Sequence, residues 1–172
     1  MLFRSGVFDI SGTTAGASII TLSGGGGVSL GAQTLTLTNA SGTFSGVLAD
    51  GGAFGGTGGA LTIASGTETL TGTNTFTGAT TVDLGATLKL GNGGTTGTVA
   101  GAIVDNGLVQ FDYSGAVTDN GALVLNFGGG GVGGAIPISG TGTLEIQSGS
   151  LNDSGASTYT GTTTIEDRKS VV

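Results

Sequence analysis

The chain has 172 residues, 39 of them Gly and 29 Thr, and a formal net charge of −7. It holds no His, Cys or Trp and only four basic residues, which removes disulfide frameworks, His or thiolate metal sites, most nucleophile–base pairs and phosphate-tracking nucleic-acid binding. Leu, Ile, Val and Phe number 44, about a quarter of the chain and above the ~20% below which chains stay disordered, so a buried core is within reach, while a single Pro and the lack of Gly at every third position exclude collagen.

In chain order, the two ends differ from the middle. Met1-Leu2-Phe3-Arg4-Ser5 (1–5) and Asp167-Arg168-Lys169-Ser170-Val171-Val172 (167–172) resemble translated sequencing-adapter DNA and are expected to be processing artefacts. Residues 6–166 then hold Lys89 alone against ten carboxylates, a net charge of −9. No apolar run there reaches the ~18 residues of a membrane-spanning helix.

Leu35-Thr36-Leu37, Leu61-Thr62-Ile63, Leu88-Lys89-Leu90, Leu123-Val124-Leu125 and Leu144-Glu145-Ile146 mostly alternate apolar and polar residues, the period of strands with one buried face. Gly24–Gly27, Gly55-Gly56, Gly93-Gly94 and Gly128–Gly131 are expected to break them. Helices are disfavoured, because Thr and Val form them poorly and each interior Gly costs about 1 kcal/mol relative to Ala.

The chain repeats itself. Residues 61–82 align without gaps on 144–165, at a separation of 83, with ten identities in 22 positions. Leu61-x-Ile63-x-Ser65-Gly66 recurs as Leu144-x-Ile146-x-Ser148-Gly149, and Thr75-Phe76-Thr77-Gly78 as Thr158-Tyr159-Thr160-Gly161. A weaker copy occupies 35–48. Short strands in a supersecondary repeat, without helices, fit an all-β parallel solenoid best, and 83 residues accommodate about four coils of about 20. Residues 6–166 would make about eight coils and a rod on the order of 40 Å, with Leu61 and Leu144 lining the interior. One signal points the other way. Asn-Gly between apolar runs is a strong hairpin signature, so the segments around Asn106 and Asn120 could be antiparallel.

The run Thr69-Leu70-Thr71-Gly72-Thr73-Asn74-Thr75-Phe76-Thr77-Gly78-Ala79-Thr80-Thr81-Val82, followed by Gly85-Ala86-Thr87-Leu88-Lys89-Leu90-Gly91, strongly resembles the autotransporter-associated β-strand repeat found in passenger regions of bacterial type V secreted proteins. The repeat units fall at 35–48, 61–90 and 144–165. Where the first long copy has Leu70 the second has Asp153, with its apolar residue at Leu151, which implies a shifted register or a degenerate copy. The resemblance implies a right-handed parallel β-helix, exported through a C-terminal outer-membrane β-barrel and displayed on the cell surface. Its partners would be adjoining coils of its own longer chain and that barrel. The absence of Cys suits a thread that must pass a pore unlinked.

Candidate sites are few. Asp105 and Asp119 stand in matching Asp-Asn-Gly triplets, as a facing catalytic or Ca²⁺ pair or, more simply, as turn residues. Gly128–Gly134 carries no acid and Asp50 precedes its glycines, so a calcium-binding glycine repeat is not supported. Gly24–Gly27 lacks the Lys and following helix of a phosphate cradle. Phe76 and Tyr159 would stack on a sugar or, recurring at equivalent positions, anchor the core. No catalytic, metal or cofactor residue is therefore assigned. The sequence favours a structural, export-assisting stalk or adhesin scaffold that is not an enzyme; the alternative is a carbohydrate-active or carbohydrate-binding β-helix.

Overall fold

The computed structural model describes residues 2, 3, 6–94, 96–113, 117, 118, 122–134, 138, 139, 141, 143–153, 158 and 160–165. Among them are nineteen strands and no helix. They fall into levels of up to three strands. The first holds β1 (Leu2–Phe3), β2 (Val7–Asp9) and β3 (Ala17–Ile19); the second β4 (Ser23–Gly24), β5 (Gly27–Ser29) and β6 (Thr34–Leu37); the third β7 (Thr43–Phe44), β8 (Val47–Ala49) and β9 (Ala60–Ile63). Above them lie β10 (Gly66–Leu70) and β11 (Thr80–Val82), then β12 (Ala86–Gly94) and β13 (Ile103–Asp105), then β14 (Leu108–Tyr113), β15 (Val117–Thr118) and β16 (Ala122–Gly134). The series ends with β17 (Ile138–Ser139), β18 (Thr143–Asp153) and β19 (Thr163–Ile165).

Each strand pairs in parallel with its counterpart one level away, giving a β-solenoid of about six turns. One wall is the sheet β1-β4-β7-β10-β12-β14, a second is β2-β5-β8, and the third is the eight-stranded sheet from β3 to β19. Along this third wall the paired positions run Ala17, Leu35, Leu61, Thr80, Ile103, Leu123, Leu144 and Thr163. The four steps from Leu61 to Leu144 take 19, 23, 20 and 21 residues, which is the 83-residue repeat. The opening strands of the two repeat copies thus occupy the same two columns, Leu61 and Ile63 with Leu144 and Ile146, but they then part: residues 66–70 turn into β10 of the first wall, while 149–153 continue along β18.

Alternation builds the core. Leu35, Leu37, Leu61, Ile63, Leu88 and Leu90 are buried, while Thr36, Thr62 and Lys89 between them are half-buried. Removing a Leu or Ile side chain from water contributes about 1.5–3 kcal/mol, and each one here also packs on the residue above and below it. On the first wall an inner column runs through Phe44, Leu70 and Leu90, in register from level to level.

The hairpin expected at Asn106-Gly107 is not formed. β13 and β14 flank it but lie in different walls, and both pair in parallel, β13 with β11 and β16 and β14 with β12. The Asn106 amide instead donates to the Val82 carbonyl one level below at 2.8 Å, as Asp83 does to Ile63 at 3.0 Å. Asn-Gly here turns a corner of the coil, a place that equally welcomes Asn and Gly. Asn120 lies outside the described residues.

Two of the expected glycine breaks are also absent. β12 runs on through Gly93-Gly94 and β16 through Gly128–Gly131, with irregular register between Leu90 and Gly94 and between Asn126 and Gly131. Glycine there lets a strand bulge and bend instead of ending it. At other corners glycine is required by contact. A Cβ on Gly46 would sit 1.8 Å from the Gly26 carbonyl oxygen, and one on Gly72 would sit 1.9 Å from that of Gly46, so three levels can close up only without side chains.

Candidate functional site: the repeat phrase and the strap it holds

The phrase Asn74-Thr75-Phe76-Thr77-Gly78 is the most specific part of the sequence, and each member has a defined place. Asn74 stands between two levels. Its register continues the inward column of Val28 and Leu48, yet it is polar and 2% exposed. Its Oδ1 accepts from the Leu48 amide at 3.0 Å, and its Nδ2 donates to the Thr98 carbonyl at 2.8 Å and to the Gly72 carbonyl at 3.2 Å. One side chain therefore links the level below to the level above. Phe76 is fully buried in the core, so its ring is not offered to a sugar. Gly78 lies so close to the level below that a Cβ would meet the Gly58 carbonyl oxygen at 2.4 Å.

Thr77 faces outward and grips the one large elaboration of the coil. The step from Leu35 to Leu61 takes 26 residues, longer than any other along that wall, because the segment 50–59 leaves the solenoid between β8 and β9. Asp50 anchors the base of this segment. Its carboxylate accepts from the amides of Gly59 at 2.9 Å and Gly58 at 3.2 Å, from the Thr77 hydroxyl at 2.6 Å, and from the Thr77 amide at 3.2 Å. Desolvation acts to raise its pKa, but the hydrogen bonds from Thr77, Gly58 and Gly59 outweigh it and hold the carboxyl below its ordinary value.

The tip of the segment reaches down two levels. The Ala53 amide donates to Asp9 Oδ2 at 2.7 Å and the Phe54 amide to Ser11 Oγ at 3.1 Å, passing over Gly31 of the level between. The Asp9 carboxyl is held below its ordinary value by the Ser11 hydroxyl and then by the Ala53 and Ser11 amides. Gly51, Gly52, Gly55, Gly56 and Gly58 all have positive φ, a path that residues with a Cβ adopt only with strain. The Phe54 ring lies over Gly12 and is 79% exposed. The segment is a strap, sewn to the side of the rod by two carboxylates.

The donors around Asp9 and Asp50 are N–H and O–H groups pointing at the oxygens, which is the opposite of what a cation site needs. Among the described residues no three His, Cys, Asp or Glu side chains are grouped so as to hold a metal. Asp105 lies on β13 opposite Val82, with only its backbone described, and Asp119 and Tyr159 lie outside the described residues. Gly24–Gly27 spans β4 and β5, where successive levels turn a corner.

Glu68 was not singled out by the sequence. It is fully buried on β10, at the same inward parity as Leu70, and neither carboxyl oxygen makes a hydrogen bond of good geometry. Burial pushes its pKa from 4.5 up to about 8, against a smaller downward pull from the nearby Leu22 and Gly42 amides. The signal was available in the alignment: Glu68 matches Leu151, just as Leu70 matches Asp153. Acid and leucine exchange places two residues apart, a spacing that keeps the same face of a strand, and β18 also shifts register by one residue between Ile146 and Ser148, just ahead of Leu151.

No family model, curated protein or solved structure matches this chain.

Proposed function

We infer that residues 6–166 are a structural, export-assisting segment of a surface-displayed bacterial passenger, a stalk or adhesin scaffold and not an enzyme. The observation that carries this reading is the placement of residues 61–63 and 144–146, the opening strands of the two long repeat copies, in the same columns of one parallel wall, four coils apart. The quoted repeat phrase supports it from the sequence side. Its chemistry there is spent on docking coil to coil: Asn74 bonds levels together, Phe76 fills the core and Thr77 holds the strap. In this reading the winding is right-handed, with about eight coils over the whole segment. The chain is carried across the outer membrane by a C-terminal β-barrel of the parent protein, and it stacks on neighbouring coils of that protein. Coil-on-coil docking lets each emerging level fold on the last, so folding itself favours outward movement.

The test is to place residues 6–166 between a secretion signal and an outer-membrane β-barrel translocator. Display is read as cleavage by external protease at an epitope upstream of the segment. Efficient display, reduced by Leu61→Asp and Ile63→Asp, is the expected result. A chain that stays in the periplasm, or display indifferent to both core charges, refutes the export role. Robust turnover of a polysaccharide by the purified segment would refute the scaffold role.

A further inference from the structure

The first wall contains a carboxyl group that its packing does not require. Level by level, the register places Gly42 directly below Glu68 and Leu88 directly above it. A Cβ on Gly42 would run into the Leu22 carbonyl oxygen, so the Leu22 and Gly42 backbones close up below the Glu68 carboxyl, with Leu88 above it. The second repeat copy carries Leu151 at the aligned position, but there the chain stays on β18 in the third wall, opposite Val132. The acid is buried completely, and neither of its oxygens makes a hydrogen bond of good geometry.

No counter-charge compensates it. Of the elements packed against β10, β7 and β9 bear no titratable side chain, and β12 bears Lys89, which alternates with the buried Leu88 and Leu90 and so points outward. A carboxylate in such surroundings gives up its hydration for only a small compensation from the Leu22 and Gly42 amides, whereas the neutral acid is tolerated.

We propose that Glu68 is a proton-operated latch in the rod: the level of β10 docks on β7 with the carboxyl protonated, and transfer of that proton to water loosens the seam between them. The seam consists of the amides of Thr67, Thr69 and Thr71 donating to the carbonyls of Ala40, Gly42 and Phe44. The direction follows from linkage. The unfolded chain releases the Glu68 proton above 4.5, while the folded chain keeps it to about 8, so the folded state binds more protons between these values and loses stability as pH rises through them. Above that window both states are ionised and the loss levels off.

The experiment compares the wild-type chain with Glu68→Gln and Glu68→Leu by chemical denaturation from pH 5 to 9. Relative to either variant, the wild-type folding constant should fall by up to about tenfold per pH unit below pH 8. Amide exchange at Thr67, Thr69 and Thr71 should quicken around pH 8 in the wild type only, beyond the rise seen at the Leu61 amide. Should neither variant fold, the ¹³C resonance of the Glu68 carboxyl in the wild type decides alone. Titration near pH 8 supports the latch, and titration in the ordinary carboxylate range overturns it. Parallel pH slopes in wild type and variants would also overturn it.

Discussion

Replacing Asn74 by Ala tests whether the repeat phrase works by joining levels. Three hydrogen bonds are lost, but they are not equivalent. The Thr98 carbonyl keeps the Asn74 amide at 3.0 Å, and the Gly72 carbonyl keeps the Thr98 amide at 3.2 Å, so each loses one of two donors. The Leu48 amide loses its acceptor, and a buried orphan donor costs about 1–3 kcal/mol. Adding the two weakened carbonyls brings the total to about 2–4 kcal/mol, which for a chain of this size lowers Tm by roughly 5–15 °C. Asn74→Leu restores apolar volume in the Val28–Leu48 column and should still be destabilised, because the Leu48 amide stays unpaired. Asn74→Asp keeps the acceptor for Leu48 but turns its second oxygen toward two carbonyls, so it should be the worst of the three at neutral pH and recover partly in acid. Denaturant midpoints for the set, with exchange of the Leu48 amide as a local probe, measure these effects. An Asn74→Ala midpoint within about 0.5 kcal/mol of wild type would refute the argument, since a surface substitution does no more than that.

Further outcomes follow from other positions. Leu61→Ala should cost about 2–5 kcal/mol in denaturation, because a fully buried side chain leaves a cavity between two stacked neighbours. Thr80→Val should raise stability by about 1 kcal/mol: its buried hydroxyl has no partner, and its neighbours in the column are Leu61 and Ile103. Asp50 has a folded pKa below 3.8, so its stabilisation is present above that value and lost as pH falls through the folded one; Asp50→Asn should flatten the loss of stability in this acid range, measured by Tm against pH. Gly46→Ala should destabilise by about 1–3 kcal/mol or more, because the added Cβ meets the Gly26 carbonyl, and an unchanged Tm would show that the corners are looser than described.

The solenoid was legible because its signals are periodic. Alternation in Leu61-Thr62-Ile63 and Leu144-Glu145-Ile146 marked the strands, and the separation of 83 already contained four coils. What misled was local chemistry with two uses. Asn106-Gly107 reads as a hairpin turn when neighbouring residues alone are considered, but a parallel coil also needs corners, and the choice is made by strands 20 residues away. Gly128–Gly131 reads as a break, yet the strand only bulges there and resumes its pairing with β18 at Gly131. The strap was invisible for a related reason: Asp9 and Ala53 meet across 44 residues, and the Gly-rich run between Asp50 and Gly59 carries no periodicity. Glu68 could have been found by parity with Leu70, since every second residue of a strand shares one face. The burial of Phe76 decided what its recurrence had left open, whether it served a ligand or the interior.

The strap has a mechanical consequence. A ladder of parallel coils would ordinarily peel from its end one rung at a time, each rung yielding at the force set by its single neighbour. Here Ala53 and Phe54 are tethered to Asp9 and Ser11 while Asp50 is tethered to Thr77, so tension applied at the amino-terminal side is shared across rungs that would otherwise rupture separately. Pulled lengthwise, this end of the molecule should resist as a single clamp, giving way in one large extension instead of a staircase of small ones.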